Sequence, residues 1–385
     1  MKLLNKILLA VNFDEQAKEV IETGRKLHES FHSHIILLHV LPERLNKQYI
    51  GELVKKVAQN NLENLKHQLI DKDVEDVETI IQYGSVFDKT IDIAEGNAVN
   101  AILMGAGGDN VSDVNYIGTS VEKVMRKTDI PVWVVRKEPT KIQRILCPVD
   151  FSEPSKRALT NAITMAESLG AELIVLSVFE PEYSYSRWIK ADLENENKKA
   201  YQAFLEQYDQ FLKNFAFRDL IWKKLIAQGV IDEQIVQNVK DHQTDLLIMG
   251  TTGRTGLGRL LIGSVTEKVI HKVECSVITT KSKSLLDFQF EITMSELAKH
   301  HNNGLEALSN KDYQMALTHF KLAHDVDKFH IPTLVRLYET YNLMGKKSKT
   351  QQYKTATIKV LEYLWDEQMA QKMLDYYSIS KEDYV

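Results

Sequence analysis

Two glycine-rich stretches carry the residues whose types and spacing could do chemistry. MGAGGDNVSDVNYIGTSVEKV runs from Met104 to Val124, and MGTTGRTGLGRLLIGSVTEKV from Met249 to Val269. Both reduce to Gly-x2-Gly-x9-Gly-[Ser/Thr]: Gly105, Gly108, Gly118 and Thr119 in the first, Gly250, Gly253, Gly263 and Ser264 in the second. The leading glycine follows an apolar run that reads as a buried strand, where a missing side chain lets backbone amides face a ligand. The trailing Gly-Ser or Gly-Thr opens a helix, whose N-terminus offers unpaired N–H groups and partial positive charge. That combination binds phosphate. Two better-known phosphate motifs are excluded. GRTGLGRL, Gly253 to Leu260, nearly fits a P-loop, but Arg259 replaces the lysine and Leu260 the magnesium-binding hydroxyl. A dinucleotide fingerprint fails at Leu261, where its third glycine belongs, and the loop follows a fourth strand rather than a first. A plainer reading stands beside the phosphate one. Ser264-Val-Thr-Glu267 and Thr119-Ser-Val-Glu122 both fit a capping box, in which the hydroxyl only starts a helix.

The elements that must position these loops occur twice. KILLAVNFDE, from Lys6, returns as RILCPVDFSE, from Arg144, and HIILLHV, from His34, returns as ELIVLSV, from Glu172, both offset by 138 residues. VETIIQYG, from Val77, matches WKKLIAQG, from Trp222, and the glycine loops match too, now offset by 145. The second copy therefore carries seven extra residues between its second and third strands, near YSYSRWIKADLENENKKA. Within that copy Ile145–Val149, Leu173–Val178, Lys224–Ala227, Leu246–Met249 and Val277–Thr280 read as strands. Ser155 to Gly170 has helical apolar spacing and ends in glycine. Alternating strand and helix predicts a parallel sheet covered by helices on both faces, with ligands beyond the strands' carboxyl ends. The expected organisation is an α/β chain: two tandem domains over 1–138 and 142–281, then an all-helical region over 288–385.

Composition narrows the function classes. A net charge of -5 supplies no electrostatic footprint for nucleic acid. No apolar run approaches the roughly 18 residues of a membrane span. The N-terminal MKLLNKILLAVNFDEQ reads as a buried strand rather than an export signal, since Asp14 and Glu15 follow its short apolar part. With two cysteines in 385 residues, the expectation is a reduced, cytoplasmic protein.

At these residues the chain resembles the universal stress protein family, specifically its ATP-binding branch. The resemblance covers both repeats and implies a site for ATP, with or without Mg2+. Its loop pattern follows a strand ending in Met-Gly, as in LLIMG at Met249 and Gly250, and its first strand ends in an aspartate that contacts base or ribose, here Asp150 after Pro148 and Val149. By the same resemblance Val178 lies near the base, and Gly263, Ser264 and Val265 surround the phosphates, beside Gly253 and Arg254. The family's strand order puts one strand between Cys147 and Cys275, about 10 Å apart and beyond disulfide reach. Members also pair such domains through their last strands, so Val132–Val135 and Val277–Thr280 are expected to meet within the chain, removing two sheet edges.

The copies are unequal. Asn12 and Asn100 stand where the second has Asp150 and Asp245, and Asp109 and Asp113 where its loop carries Arg254 and Arg259. A carboxylate about 6 Å from a phosphate charge costs roughly 0.7 kcal/mol in water and about 3 kcal/mol at an effective dielectric of 20. Site two is the expected working site. Site one keeps its glycines and loses the electrostatics.

His300, His301, His319, His324 and His330 include no His-x3-His with a carboxylate, so they read as packing or surface residues and no metal site is expected. Met104 and Met249 read as core filler. Tyr183, Tyr185 and Trp188 open a packed helix or form a flap over the nucleotide. From Gly304 to Asp327, the spacing of Gly304, Ala316, Phe320 and Ala323 resembles a tetratricopeptide repeat over about one and a half units, with His300 and Lys328 departing from the pattern. This tail could bind a protein partner or mediate self-association. The expected function is an ATP-binding, non-enzymatic stress-response or regulatory protein acting through nucleotide-dependent interactions. The alternatives are a slow ATP-hydrolysing or nucleotidyl-transferring enzyme of the same superfamily, or a scaffold displaying the tail. No catalytic residue is expected from the sequence.

Overall fold

A computed structural model describes residues 4–47, 49–69, 77–107, 117–136, 141–182, 190–251, 262–281 and 285–380. Repeat 1 runs β1 (Lys6–Ala10), α1 (Gln16–Phe31), β2 (His34–Leu41), α2 (Tyr49–Leu69), β3 (Val77–Tyr83), α3 (Val86–Gly96), β4 (Ala101–Gly105), α4 (Thr119–Lys127) and β5 (Val132–Val135). Repeat 2 runs β6 (Arg144–Pro148), α5 (Glu153–Leu169), β7 (Glu172–Phe179), α6 (Lys190–Leu212), β8 (Trp222–Gln228), α7 (Ile231–Asp241), β9 (Leu246–Gly250), α8 (Ser264–Lys272) and β10 (Ser276–Thr280). Inner strands such as β1 and β6 read as unbroken apolar runs because both faces are covered. Ile7 and Leu9 join one core with α1, α2, α5 and α6. Leu8 joins the opposite core with α3, α4, α7 and α8.

The strands form one sheet of ten in the order β3-β2-β1-β4-β5-β10-β9-β6-β7-β8. Pairing is parallel inside each repeat and antiparallel at the centre, where Val134, Trp133 and Val132 of β5 face Val277, Ile278 and Thr279 of β10. Trp133 faces its own counterpart Ile278, which puts a pseudo-two-fold axis between them. The expected edge-to-edge pairing is present, and the repeats form one compact unit. Arg126–Glu267 at 3.0 Å and His271–Glu122 at 2.9 Å obey the same pseudo-symmetry across α4 and α8. Cys147 and Cys275 are free and buried, with β9 between their strands. Burial pushes the Cys147 thiol far up and that of Cys275 to about 12, so both are inert at neutral pH.

A second compact unit starts at Phe290. Its helices are α9 (Leu285–Ser309), α10 (Tyr313–Val326), α11 (Ile331–Leu343), α12 (Lys347–Leu364) and α13 (Glu367–Tyr376). Ala316, Phe320 and Leu337 centre one core, and Leu334, Ile358, Leu361 and Leu374 another. The histidines pack between helices. His301 and His330 each place Nδ1 on the Thr333 hydroxyl, at 3.0 and 2.7 Å. His300 and His319 bring their Nδ1 atoms within 3.4 Å. Among the described residues no helix is long and apolar enough to cross a membrane.

Gly304 shows why a small residue belongs on α9: a Cβ there would stand 2.5 Å from the ring of Phe320, which is fully buried. Gly304→Ala is therefore expected to destabilise this unit by about 1–3 kcal/mol through overpacking, despite alanine's better helix propensity. Hydrogen exchange at α9 and α10 reads the effect. Protection equal to the parent protein's would mean that Phe320 moves aside freely.

Candidate functional site

In repeat 2 the carboxyl ends of β6, β7 and β9 converge with the amino end of α8 on a cavity of about 750 Å³. Strand order reverses between β6 and β9, so this is the switch point where a parallel sheet leaves a crevice. Pro148, Val149, Asp150, Val178, Met249, Gly250, Gly263, Ser264 and Val265 all line it. Gly253, Arg254 and Arg259 lie outside the described residues, as do Tyr183, Tyr185 and Trp188. The matching cavity of repeat 1 measures about 270 Å³ and includes Gly105, Gly118 and Thr119. Gly108, Asp109 and Asp113 are outside the described residues.

The phosphate-binding geometry lies at the start of α8. Gly263 is the N-cap, with extended φ and ψ of -64° and 146°, and the first intrahelical bond runs from Glu267 N–H to Gly263 O at 2.9 Å. The N–H groups of Ser264, Val265 and Thr266 thus have no carbonyl of their own helix to bond. All three residues line the cavity. Gly263 spends its own N–H on Thr251 O at 2.6 Å, which closes the loop end. Thr266 Oγ1 donates to Gly250 O at 2.9 Å, tying α8 to the end of β9. Asp150 presents a carboxylate at the end of β6, and its Oδ1 accepts the Ser152 N–H at 3.1 Å and the Ser152 hydroxyl.

Three expectations change. Ser264 and Thr119 are not capping-box residues: Gly263 and Gly118 hold the N-cap positions, and neither helix has a side-chain cap. The acidic ends of those supposed boxes, Glu267 and Glu122, instead form ion pairs between repeats. The leading glycines line the cavities and also answer to helix packing. A Cβ on Gly250 would lie 3.0 Å from Pro154 Cβ, and one on Gly105 2.9 Å from Gln16 Oε1. The Asn100/Asp245 difference belongs to the far end of the sheet. Asp245 Oδ2 accepts the N–H groups of Gln143 and Arg144 at 2.7 and 2.9 Å, while Asn100 Oδ1 accepts that of Lys6 at 2.8 Å.

Repeat 1 differs by more than charge. Its Gln16 side chain accepts the Gly107 N–H at 2.8 Å, filling space beside the loop. Pro154 is the counterpart and cannot reach in that way. Residues overlooked in the sequence complete the larger cavity: Ser177 and Phe179 on β7, and Ala200, Ala203, Phe204 and Gln207 on α6. The signal was present, since positions 200, 203, 204 and 207 share one helical face. It does not distinguish a ligand wall from an ordinary core-facing stripe.

Comparison with known proteins agrees with this architecture. The model of the universal stress protein family matches residues 4–136 and 141–281. Universal stress protein MJ0531 of Methanocaldococcus jannaschii is 30% identical over 152 residues, covering 38% of this chain and 87% of its own. Universal stress protein MJ0577 of the same organism is 31% identical over 159 residues, covering 37% and 96%. Among solved structures, a universal stress protein from Archaeoglobus fulgidus superposes with a TM-score of 0.52 at 20% identity, covering 72% of this chain and 97% of that one, which speaks to the fold. With matches over both halves of a single ten-stranded sheet, the chain belongs to the universal stress protein family, as a tandem of two such domains followed by a helical region.

Proposed function

We propose that repeat 2 binds an adenine nucleotide, ATP, and that the protein acts without catalysis, changing its interactions with nucleotide state. The observation that carries this reading is the meeting of Asp150, Val178 and the first turn of α8 in one cavity large enough for a nucleotide. Each charged phosphate oxygen held by a backbone N–H gains a charge-assisted hydrogen bond, and the helix terminus adds about 0.3–1 kcal/mol. Among the described residues no three His, Cys, Asp or Glu side chains gather to hold a metal, so Mg2+ would arrive on the phosphates, with Asp150 as the nearby carboxylate. Asp150 and Glu180 are the ionisable side chains among the described lining residues. Slow hydrolysis without a dedicated base is the second reading, and a scaffold that displays the helical region is the third.

Repeat 1, smaller and partly filled by Gln16, leaves one working site. Mass spectrometry of the purified protein is expected to identify ATP, and calorimetry to give about one nucleotide per chain. Two equal tight sites would sink the asymmetry. Bound ADP would favour hydrolysis, and absence of any nucleotide binding would leave the scaffold.

The helical region serves in this proposal as a tetratricopeptide-like interaction module, supported by the packing of Gly304 on Phe320 beside buried Ala316 and Ala323. Truncation after Gln289 should leave a nucleotide-binding tandem that has lost a protein partner or self-association. Light scattering and a pull-down compare the two forms, and unfolding of the truncated tandem would make the region a brace instead.

A further inference from the structure

A further cavity, of about 200 Å³, lies where the two repeats meet. It shares no described lining residue with the cavities at α4 and α8. From repeat 1 it takes Trp133 of β5 and one face of α1, where Thr23, Lys26, Leu27 and Ser30 recur at helical spacing. From repeat 2 it takes the end of α5, Leu246 of β9 and Ser276 of β10, with Ile142 from the chain just before β6. Neither repeat makes it alone. On the pseudo-symmetric side Asn161 of α5, the counterpart of Thr23, donates to the Thr280 hydroxyl of β10 at 2.9 Å and so bridges helix and strand. Thr23 is shorter, which leaves room beside the indole.

Most polar groups around this cavity already have partners. Lys26 Nζ lies 3.9 Å from Glu22, Glu29 pairs with Arg25, and Asp245 Oδ2 accepts two backbone N–H groups. Ser276 Oγ accepts the Arg136 N–H at 3.3 Å, and Lys141 is exposed. Trp133 differs. It is 2% exposed, and its indole N–H finds no acceptor among the described residues. A buried donor left in that state costs about 1–3 kcal/mol, and such groups are rare enough in folded proteins to call for a specific cause. Leu27, Ile142, Leu169 and Leu246 add apolar wall beside it.

We propose that this seam between the repeats binds a small uncharged molecule, an apolar body carrying one acceptor oxygen that takes the Trp133 N–H. Two lysines and two carboxylates line the cavity, so its charges balance and favour neither an anion nor a cation. An apolar cavity of about 150 Å³ accepts benzene. This one therefore has room for a ring with a short carbonyl substituent. Because residues of both repeats hold the molecule, its binding also strengthens the pairing of β5 with β10. The site is independent of the nucleotide reading.

Acetophenone is the probe, and ethylbenzene, nearly the same shape without the oxygen, is its comparator. The chain has four tryptophans, and Trp133→Phe identifies the Trp133 indole N–H resonance by its loss. That resonance should move downfield and saturate as acetophenone is added. Acetophenone should bind about fivefold more tightly than ethylbenzene, the share of one neutral hydrogen bond. In Trp133→Phe the two should bind equally. Benzoate and benzylammonium should each bind about tenfold more weakly than acetophenone. If Trp133→Phe does not fold, Ser30→Phe, at an exposed position on the rim, carries the test and should lower acetophenone affinity by about tenfold or more. Gly263→Val should leave acetophenone binding as it is. An unmoved Trp133 resonance, equal affinity for ethylbenzene in the parent protein, or binding untouched by Ser30→Phe would overturn the site. Loss of binding in Gly263→Val would do the same, by moving the probe to the cavity at α8.

Discussion

Gly263→Val is expected to lower ATP affinity by about 100-fold or more in a protein that keeps its fold. Glycine is not needed there for backbone freedom, because φ and ψ of -64° and 146° suit valine. The counterpart Gly118 shows that a Cβ at this position meets nothing closer than Gly107 Cα, at 3.4 Å. The cost therefore falls on the ligand. A branched side chain at the N-cap crowds the approach to the Ser264 and Val265 amides, and two hydrogen bonds to charged oxygen are worth about 1.5–3 kcal/mol each. Losing both exceeds the roughly 2.8 kcal/mol that corresponds to 100-fold. Calorimetry reads the affinity and thermal unfolding the fold. Unchanged ATP binding in the folded variant would show that phosphate does not lie at the start of α8.

The helical region is expected to lose stability below about pH 6.5, with the sheet less affected. Burial, the largest cause, holds His301, His324 and His330 below the ordinary imidazole value. For His301, positive charge on His330 and on Arg336 adds to this. For His324, Lys328 acts with burial while Asp325 and Asp327 oppose it, and for His330 Asp327 opposes it. A histidine with a depressed folded value binds protons more weakly than in the unfolded chain. Its contribution to stability is complete above the unfolded value of about 6.5 and falls as pH drops through the folded value.

Geometry points the same way, since the His301 and His330 ring centroids lie 5.3 Å apart and two imidazolium charges at that distance repel. The three side chains are only partly buried. Solvent therefore screens part of the effect, and the sign of the pH dependence is what the comparison reads. His39, also held low by burial, gives repeat 1 a smaller dependence of the same sign. Hydrogen exchange at pH 7.5 and 5.5, corrected for intrinsic rates, should show protection falling first in residues 290–380. Equal protection at both values would show that these histidines titrate as they do in open chain.

Much of the framework was legible because it is written locally. The expected strands Leu173–Val178 and Val277–Thr280 match β7 and β10 to within one or two residues. A strand covered on both faces has to be apolar throughout, and that pattern survives in any single window. The glycine loops were legible for the same reason, as both repeats keep the spacing that links a strand end to a helix start. The capping boxes were misread because a cap depends on one backbone turn. With Gly263 turning the chain, Ser264 already lies inside the helix, and Glu267 is drawn to Arg126, 141 residues away. Asp245 misled in another way. Its carboxylate belongs to the amino end of the sheet, as its place just before the expected strand Leu246–Met249 already implies.

The sequence by itself determined two homologous α/β repeats, a helical end and the strand tips where a ligand belongs. Each follows from periodicity, self-similarity or spacing within a few tens of residues. Only the tertiary structure decided which repeat has room. That outcome depends on Gln16 reaching the Gly107 amide, on Phe13 lying against His39, and on Phe151 turning into the aromatic face of α6. Such contacts join residues distant in the chain and depend on side-chain volume. Two sequences with the same pattern can therefore close one cavity and open the other.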